Sequence, residues 1–200
     1  MIPMGGQLPV IPQNVVGVGG AAGMVHPSTG YMIARALETA PSIVSAVAPY
    51  LKAHRGQKVD LALLSRKGWA AAWPTDEQRQ WGFMNLGMQI LCELDPQGLR
   101  SFFRAFFSLD DWLWGGYLSW RLSAVECVVM GLALLQVAPL RFRGQLVWTA
   151  LPFLPEFARA WAAGLLWRAP SPGVSLRLRH RWKAEQQQKL EQRSNAEASA

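Results

Sequence analysis

The first 34 residues contain no Asp, Glu, Lys or Arg, although the 200-residue chain carries a formal charge of +7. Such a segment cannot hold a ligand through ion pairs; it has only main-chain groups, hydroxyls and shape to offer. Cysteine is scarce as well. Cys92 and Cys127 stand apart inside apolar helical patterns, with no CxxC and no histidine at ligand spacing, which excludes a zinc site and a disulfide framework and predicts two buried thiols. The opening, MIPMGGQLPVIPQ, has three prolines and no basic stretch, so it lacks a signal or transit peptide pattern and reads as the interior of a longer protein. No long uninterrupted apolar run occurs: SAVECVVMGLALLQVAPL is broken by Glu126 and closed by Gln136 and Pro139, short of the roughly 20 residues a crossing helix needs. No internal repeat is visible.

What is present is apolar and aromatic. Half of the residues are hydrophobic, 16% are charged and ten are tryptophan, enough for a core and for a lipid-binding surface besides. Basic residues gather late, at Arg177, Arg179, Arg181 and Lys183. With no aromatics interleaved along a positive groove, nucleic acid is not the expected partner, whereas anionic lipid head groups are compatible.

NVVGVGG, Asn14 to Gly20, has the Val-rich, glycine-ended form of a buried parallel strand entering a tight turn. After the turn, Ser28 or Thr29 is placed to cap a helix with Ile33, Ala34 and Leu37 on its apolar face, ending before Pro41, and a second helical stretch runs from Pro41 to Leu51. Strand, glycine turn and helix together point free amides at an anion. KAHRGQKVD is a surface loop. Farther on, Trp81, Met84, Met88 and Leu91 form a buried stripe, with Gly82 and Gly87 permitting close packing. Asp95 caps the next helix and Pro96 fills its first turn, with Leu99, Phe102, Phe103 and Phe106 on its apolar face. LDDWLWGGYLSWRL is a Trp-rich amphipathic segment, suited either to a lipid interface or to a packed core. Ser123 and Glu126 form a capping box, which assigns Glu126 to structure rather than to acid catalysis. Arg141 and Arg143 mark an interface, and Gly144 to Trp167 continues as apolar helical pieces broken at Pro152 and Pro155.

The stretch IPMGGQLPVIPQNVVGVGGAAGMVHPSTGYMIARALETAP, continued by FFRAFFSLDDWLWGGYLSWRL, resembles the lycopene cyclases of plants, algae and cyanobacteria, and the likeness fades after about Gln145. The resemblance implies an α/β FAD/NAD(P)-binding, Rossmann-like flavoprotein fold, of which this chain is a mostly α-helical C-terminal fragment with a few strands. It divides the chain into the end of the FAD-binding domain over 1–53, a surface loop or linker over 54–80, a helical membrane- or substrate-facing region over 81–168, and a basic, polar, disordered tail over 169–200. GVGGAAG with HPSTGY stands where related flavoproteins carry their second flavin-contacting motif, so Gly19, Gly20, Gly23, Met24, His26, Pro27, Ser28, Thr29, Gly30 and Tyr31 are the expected cofactor contacts. Gly20 takes the place of an aspartate common in that motif, which leaves the binding to main-chain amides.

The implied chemistry is a ring closure without net oxidation, the work of an intramolecular lyase or isomerase. An acid protonates a terminal double bond of linear lycopene, the cation cyclises, and proton loss fixes the new double bond; reduced FAD, maintained by NADPH, attends the cation. The glycines that hold the adenosine half of FAD and the glutamate motif that supplies the acid are expected upstream of Met1, so the fragment alone is expected to be inactive. His26 is the one catalytic candidate in the chain, as hydrogen-bond donor or proton shuttle, with a turn residue as the other reading. PSTGYM and SWRL resemble β-cyclases, LSAVE and VAPLRFRGQL are closer to ε-cyclases, and Gly115 departs from a histidine of many β-type sequences; the longer opening match favours β. The implied setting is a plastid or chloroplast membrane surface, with a linear carotenoid as substrate and other carotenoid-pathway enzymes as partners. A non-catalytic, membrane-associated remnant of a cyclase is the rival reading.

Overall fold

A computed structural model describes residues 13–166, together with Gly5, Leu8, Gln188, Glu191 and Gln192. Among these, eight α-helices follow a glycine-rich loop: α1 Ile33–Ala53, α2 Leu61–Ala72, α3 Thr75–Glu93, α4 Pro96–Phe107, α5 Asp111–Leu118, α6 Ala124–Val137, α7 Leu140–Ala150 and α8 Leu154–Leu166. The hub is α3, which packs against α6, α7 and α8, while α1 lies along α2 and α5 rests on α6.

Local chemistry explains most helix boundaries. Asp95 accepts from the Gly98 amide at 2.6 Å with Pro96 in the first turn of α4. Ser123 and Glu126 form a complete capping box at α6, so Glu126 is indeed a structural residue there. Asp60 caps α2 by accepting from Leu63. Trp81 and Met84 face the core as their spacing predicts. A Cβ on Gly82 would lie 2.9 Å from Ala160 Cβ, and one on Gly87 would lie 3.0 Å from the Tyr117 hydroxyl, so both glycines do permit close helix approach.

Several expectations are corrected. No strand forms among the described residues: Asn14 is a bend, Val15 to Val18 has no regular secondary structure, and Val15 is 73% exposed. An isolated strand has no ladder to stabilise it, and side chains of α2 hold this segment instead. Trp69 Nε1 donates to the Val15 carbonyl at 3.1 Å, Ser65 donates to the Gln13 carbonyl, and Gly68 leaves the space that Val16 fills. The stretch 54–80 is a loop only over 54–60. It then forms α2, whose Ser65, Gly68, Trp69 and Ala72 are buried, and the first turns of α3.

The helix expected to stop before Pro41 runs through Pro41 and Pro49 as one element. Its inner positions are Arg35 and Thr39, whereas Ile33 and Leu37 point outward and Met32, not Ser28 or Thr29, precedes its first turn. Contact along α2 outweighs the cost of about 3 kcal/mol that an interior proline carries. Cys127 is buried, but Cys92 is exposed beside Met88, 3.3 Å between the sulfurs. Of the tail 169–200 only Gln188, Glu191 and Gln192 are described, and Arg177, Arg179, Arg181 and Lys183 lie outside the described residues.

Candidate functional site

The glycine loop is built from short, local hydrogen bonds. Gly19–Ala22 makes a single 3₁₀ turn, closed by the amides of Gly23 and Met24 on the carbonyls of Gly20 and Gly19. The His26 amide donates to the Tyr31 carbonyl at 2.9 Å, the amides of Thr29 and Gly30 return to the His26 carbonyl, and the Tyr31 amide meets Thr29 Oγ1. Gly19, Gly23 and Gly30 hold φ of 65°, 70° and 72°, a left-handed conformation that side-chain-bearing residues rarely adopt, so glycine is needed at each.

Main-chain amides of this loop were expected to remain open for phosphates. Those of Gly23, Met24, His26, Ser28, Thr29, Gly30 and Tyr31 are instead engaged within the loop itself. Side-chain direction separates the ten candidate contacts into two groups. Gly19, Met24, His26 and Pro27 are buried toward the helices; Thr29 and Tyr31 are exposed, and Gly20, Gly23, Ser28 and Gly30 are partly so. The Ser28 hydroxyl is buried beside the Tyr117 phenol, so the outward face offers the hydroxyls of Thr29 and Tyr31 and the glycines Gly20, Gly23 and Gly30, with no charged side chain of the loop among them. That face accommodates a large neutral or planar group better than it grips a bare phosphate.

His26 fastens the loop from behind. Its ring has no exposed surface; Nδ1 accepts from the Ser28 amide at 3.2 Å, so Nε2 carries the hydrogen and donates to the Tyr117 carbonyl at 3.2 Å. Burial pushes its pKa down to about 4, against a smaller raising effect of the Tyr117 carbonyl. The ring is thus neutral near pH 7 with both nitrogens occupied, which leaves it no proton to shuttle. Burial likewise pushes the Tyr117 phenol up.

The ground beneath His26 is aromatic and carries an ion pair that sequence reading missed. The His26 ring meets the edges of Tyr117 and Trp120 at 5.2 and 5.7 Å. Arg35, the first charged residue of the chain, is buried, reaches Glu77 at 3.4 Å and the Ala72 carbonyl at 3.1 Å, and lies 5.5 and 5.9 Å from the rings of Trp73 and Trp120. Trp73 Nε1 in turn donates to the Ala22 carbonyl at 2.7 Å. The only available signal was the isolation of Arg35 after 34 uncharged residues.

Trp120 has an unusual backbone. The Trp120 amide bonds the Tyr117 carbonyl and the Arg121 amide bonds the Gly116 carbonyl, a Schellman closure of α5 that places Trp120 in the position usually held by glycine. Its φ is +60°, the one positive value among the described non-glycine residues. A side-chain-bearing residue there costs about 1–2 kcal/mol. The indole N–H is moreover buried without a partner.

The family described as lycopene cyclase protein matches residues 1–144, a span that holds the loop, Arg35, Glu77, Tyr117 and Trp120. The chain belongs to the lycopene cyclase family. Over 134 residues, 67% of this chain, it is 51% identical to the lycopene beta cyclase of Capsicum annuum and 49% identical to that of Arabidopsis thaliana, both named chloroplastic. Over the same length it is 44% identical to the capsanthin/capsorubin synthase of Citrus sinensis. The chain spans about a quarter of the length of these curated relatives. No solved structure matches this family member.

Proposed function

We infer that this chain works as part of a lycopene beta-cyclase, closing the linear ends of lycopene into β-ionone rings in a plastid. The observation that carries the reading is the near 50% identity over 67% of the chain to relatives named lycopene beta cyclase, together with the family match over residues 1–144, which holds the glycine loop and its aromatic support. The same relatives favour β over ε.

In this reading FAD lies on the outward face of the loop. Gly20 and Gly23 let it approach the main chain, Thr29 and Tyr31 offer hydroxyls, and Gly30 keeps the turn open; Gly19, Met24, His26, Pro27 and the inward-turned Ser28 act from behind by fixing the loop. When bound there, FAD in its reduced form, with NADPH as reductant, would supply electron density to the ring-closing chemistry. The chain's own part is to hold that face in shape, to keep charge away from it, and to keep His26 neutral. The acid that protonates lycopene is not assigned to any residue of this chain: Glu126 caps α6 and His26 has no free nitrogen.

A lipid-dissolved substrate calls for a lipid-facing surface, and the exposed apolar residues of α6 and α7 support one. Val125, Val129 and Leu132 on α6 and Leu140, Val147 and Trp148 on α7 are exposed, Leu140 by 81% and Trp148 by 76%, and Arg141 is exposed beside them. Among the described residues no helix is long and apolar enough to cross a membrane, so the face suits docking on a bilayer rather than spanning it.

The test is a chimera in which this chain replaces the matching segment of the Arabidopsis thaliana lycopene beta cyclase, expressed in bacteria that accumulate lycopene. Cyclic carotenes with β-rings are expected by chromatography of the pigments. Persistent red lycopene alongside a folded, abundant chimera overturns the reading.

A further inference from the structure

The glycine loop is fastened to the helices by contacts that converge on one corner, the turn between α5 and α6. Trp120 stands in that turn with φ of +60°, in the place where a helix closure takes glycine. If the turn alone mattered, glycine would serve it better. The ring explains the choice: its edge-on contact with His26 is 5.7 Å between centroids, it lies 6.4 Å from Trp73, and the Arg35 guanidinium faces it at 5.9 Å. Each of these three neighbours reaches the loop or its exit. His26 is in the loop, Trp73 bonds the Ala22 carbonyl, and Arg35 begins the helix that leaves it. Gln80 binds the Trp120 and Leu122 carbonyls from α3, which keeps the corner from relaxing.

We propose that Trp120 is a positioning residue, its indole wedged under His26 and against Trp73 and Arg35 so that the loop 19–31 keeps the outward shape on which cofactor contact depends. The proposal rests on reading that loop as the flavin-contacting segment. A strained corner is retained because the strain places a ring where an unstrained residue would leave a gap.

Trp120→Gly separates the two roles, since a capping residue and a wedge predict opposite results. In the 200-residue chain, hydrogen exchange followed by NMR is expected to show the amides of Met24, His26 and Gly30 exchanging at least tenfold faster in Trp120→Gly, with the α6 amide of Cys127 unchanged. The His26 ring is expected to titrate at a higher pH as water reaches it. Loop exchange and His26 titration equal to native overturn the proposal. If Trp120→Gly loses its helical circular dichroism, Trp120→Leu keeps a bulky apolar group at the corner without the aromatic edge; the same loop loss is expected, and native loop protection in that variant is equally decisive against the wedge. Flavin retained by the chimera described above reports on the underlying reading by itself: a chimera without flavin removes the cofactor from the argument, while the exchange result still decides whether Trp120 sets the loop.

Discussion

Acidification from pH 7 to pH 4 addresses the loop through its histidine. His26 has no exposed surface and a pKa of about 4, against an ordinary 6.5. Between those values the unfolded chain takes up a proton that the folded chain refuses, so stability is complete above about pH 6.5 and falls as the pH drops toward 4. At about 1.36 kcal/mol per unit of displacement, the loss attributable to this one ring is about 3 kcal/mol. That is a large share of the 5–15 kcal/mol typical of a domain. The assay is urea unfolding at pH 7, 6, 5 and 4, followed by circular dichroism, on the native chain and on His26→Gln, a non-titrating side chain whose amide group and carbonyl can still donate and accept. Taking the difference between the two proteins cancels the carboxylates they share. The native chain is expected to lose about 3 kcal/mol more than the variant over this range, with a slope approaching 1.4 kcal/mol per pH unit near pH 5. Parallel losses in the two proteins, or an imidazole titrating between pH 6 and 7 by NMR, refute the assignment of His26 as a neutral, doubly bonded fastener.

Two glycines on different helices are expected to respond in opposite directions. Gly82→Val drives a Cβ to 2.9 Å from Ala160 Cβ, where neither atom can swing aside, and is expected to cost about 1–3 kcal/mol; Gly115→Ala meets nothing within 4 Å in α5 and is expected to add about 0.5–1 kcal/mol. Thermal melting reads both, and equal shifts refute the α3–α8 packing. The exposed face of α6 and α7 is expected to carry the chain to the top of a density gradient with vesicles containing anionic lipid, and the double variant Leu140→Ser, Trp148→Ser is expected to lower that partitioning more than tenfold, given about 1.5–3 kcal/mol for burying each large apolar side chain. Undiminished flotation of the double variant places the lipid contact elsewhere.

What could be read from the sequence was local. The Asp95 cap, the Ser123–Glu126 box and the close-approach glycines Gly82 and Gly87 each follow from a few neighbouring residues, and the structure agrees. What escaped was decided at a distance. The Val-rich run Asn14 to Val18 has the right side chains for a strand, but pairing needs a partner strand, and Trp69 and Ser65 took the carbonyls instead. Pro41 suggests a helix end on local grounds, and only the contact with α2 shows why α1 continues. The polar stretch after Lys52 concealed α2 because its buried positions are small: Ser65, Gly68 and Ala72 give little apolar signal beside Trp69. At the site, the glycines identified the loop, but the direction of each amide could not be seen from residue types. Nothing local marks Arg35, Glu77 and Trp120 as neighbours, since they lie more than 40 residues apart in sequence from one to the next.

The two prolines inside α1 constrain whatever touches its outer side. Pro41 and Pro49 bring no amide hydrogen, so the carbonyls of Leu37 and Ser45, one turn earlier, lose the donor a regular helix would give them. All four residues lie on the exposed side of the helix, where water can solvate those oxygens. A dry, greasy neighbour settling there would strand both carbonyls; only a surface that arrives with hydrogen-bond donors of its own, or that keeps a film of solvent in between, can cover this flank without penalty.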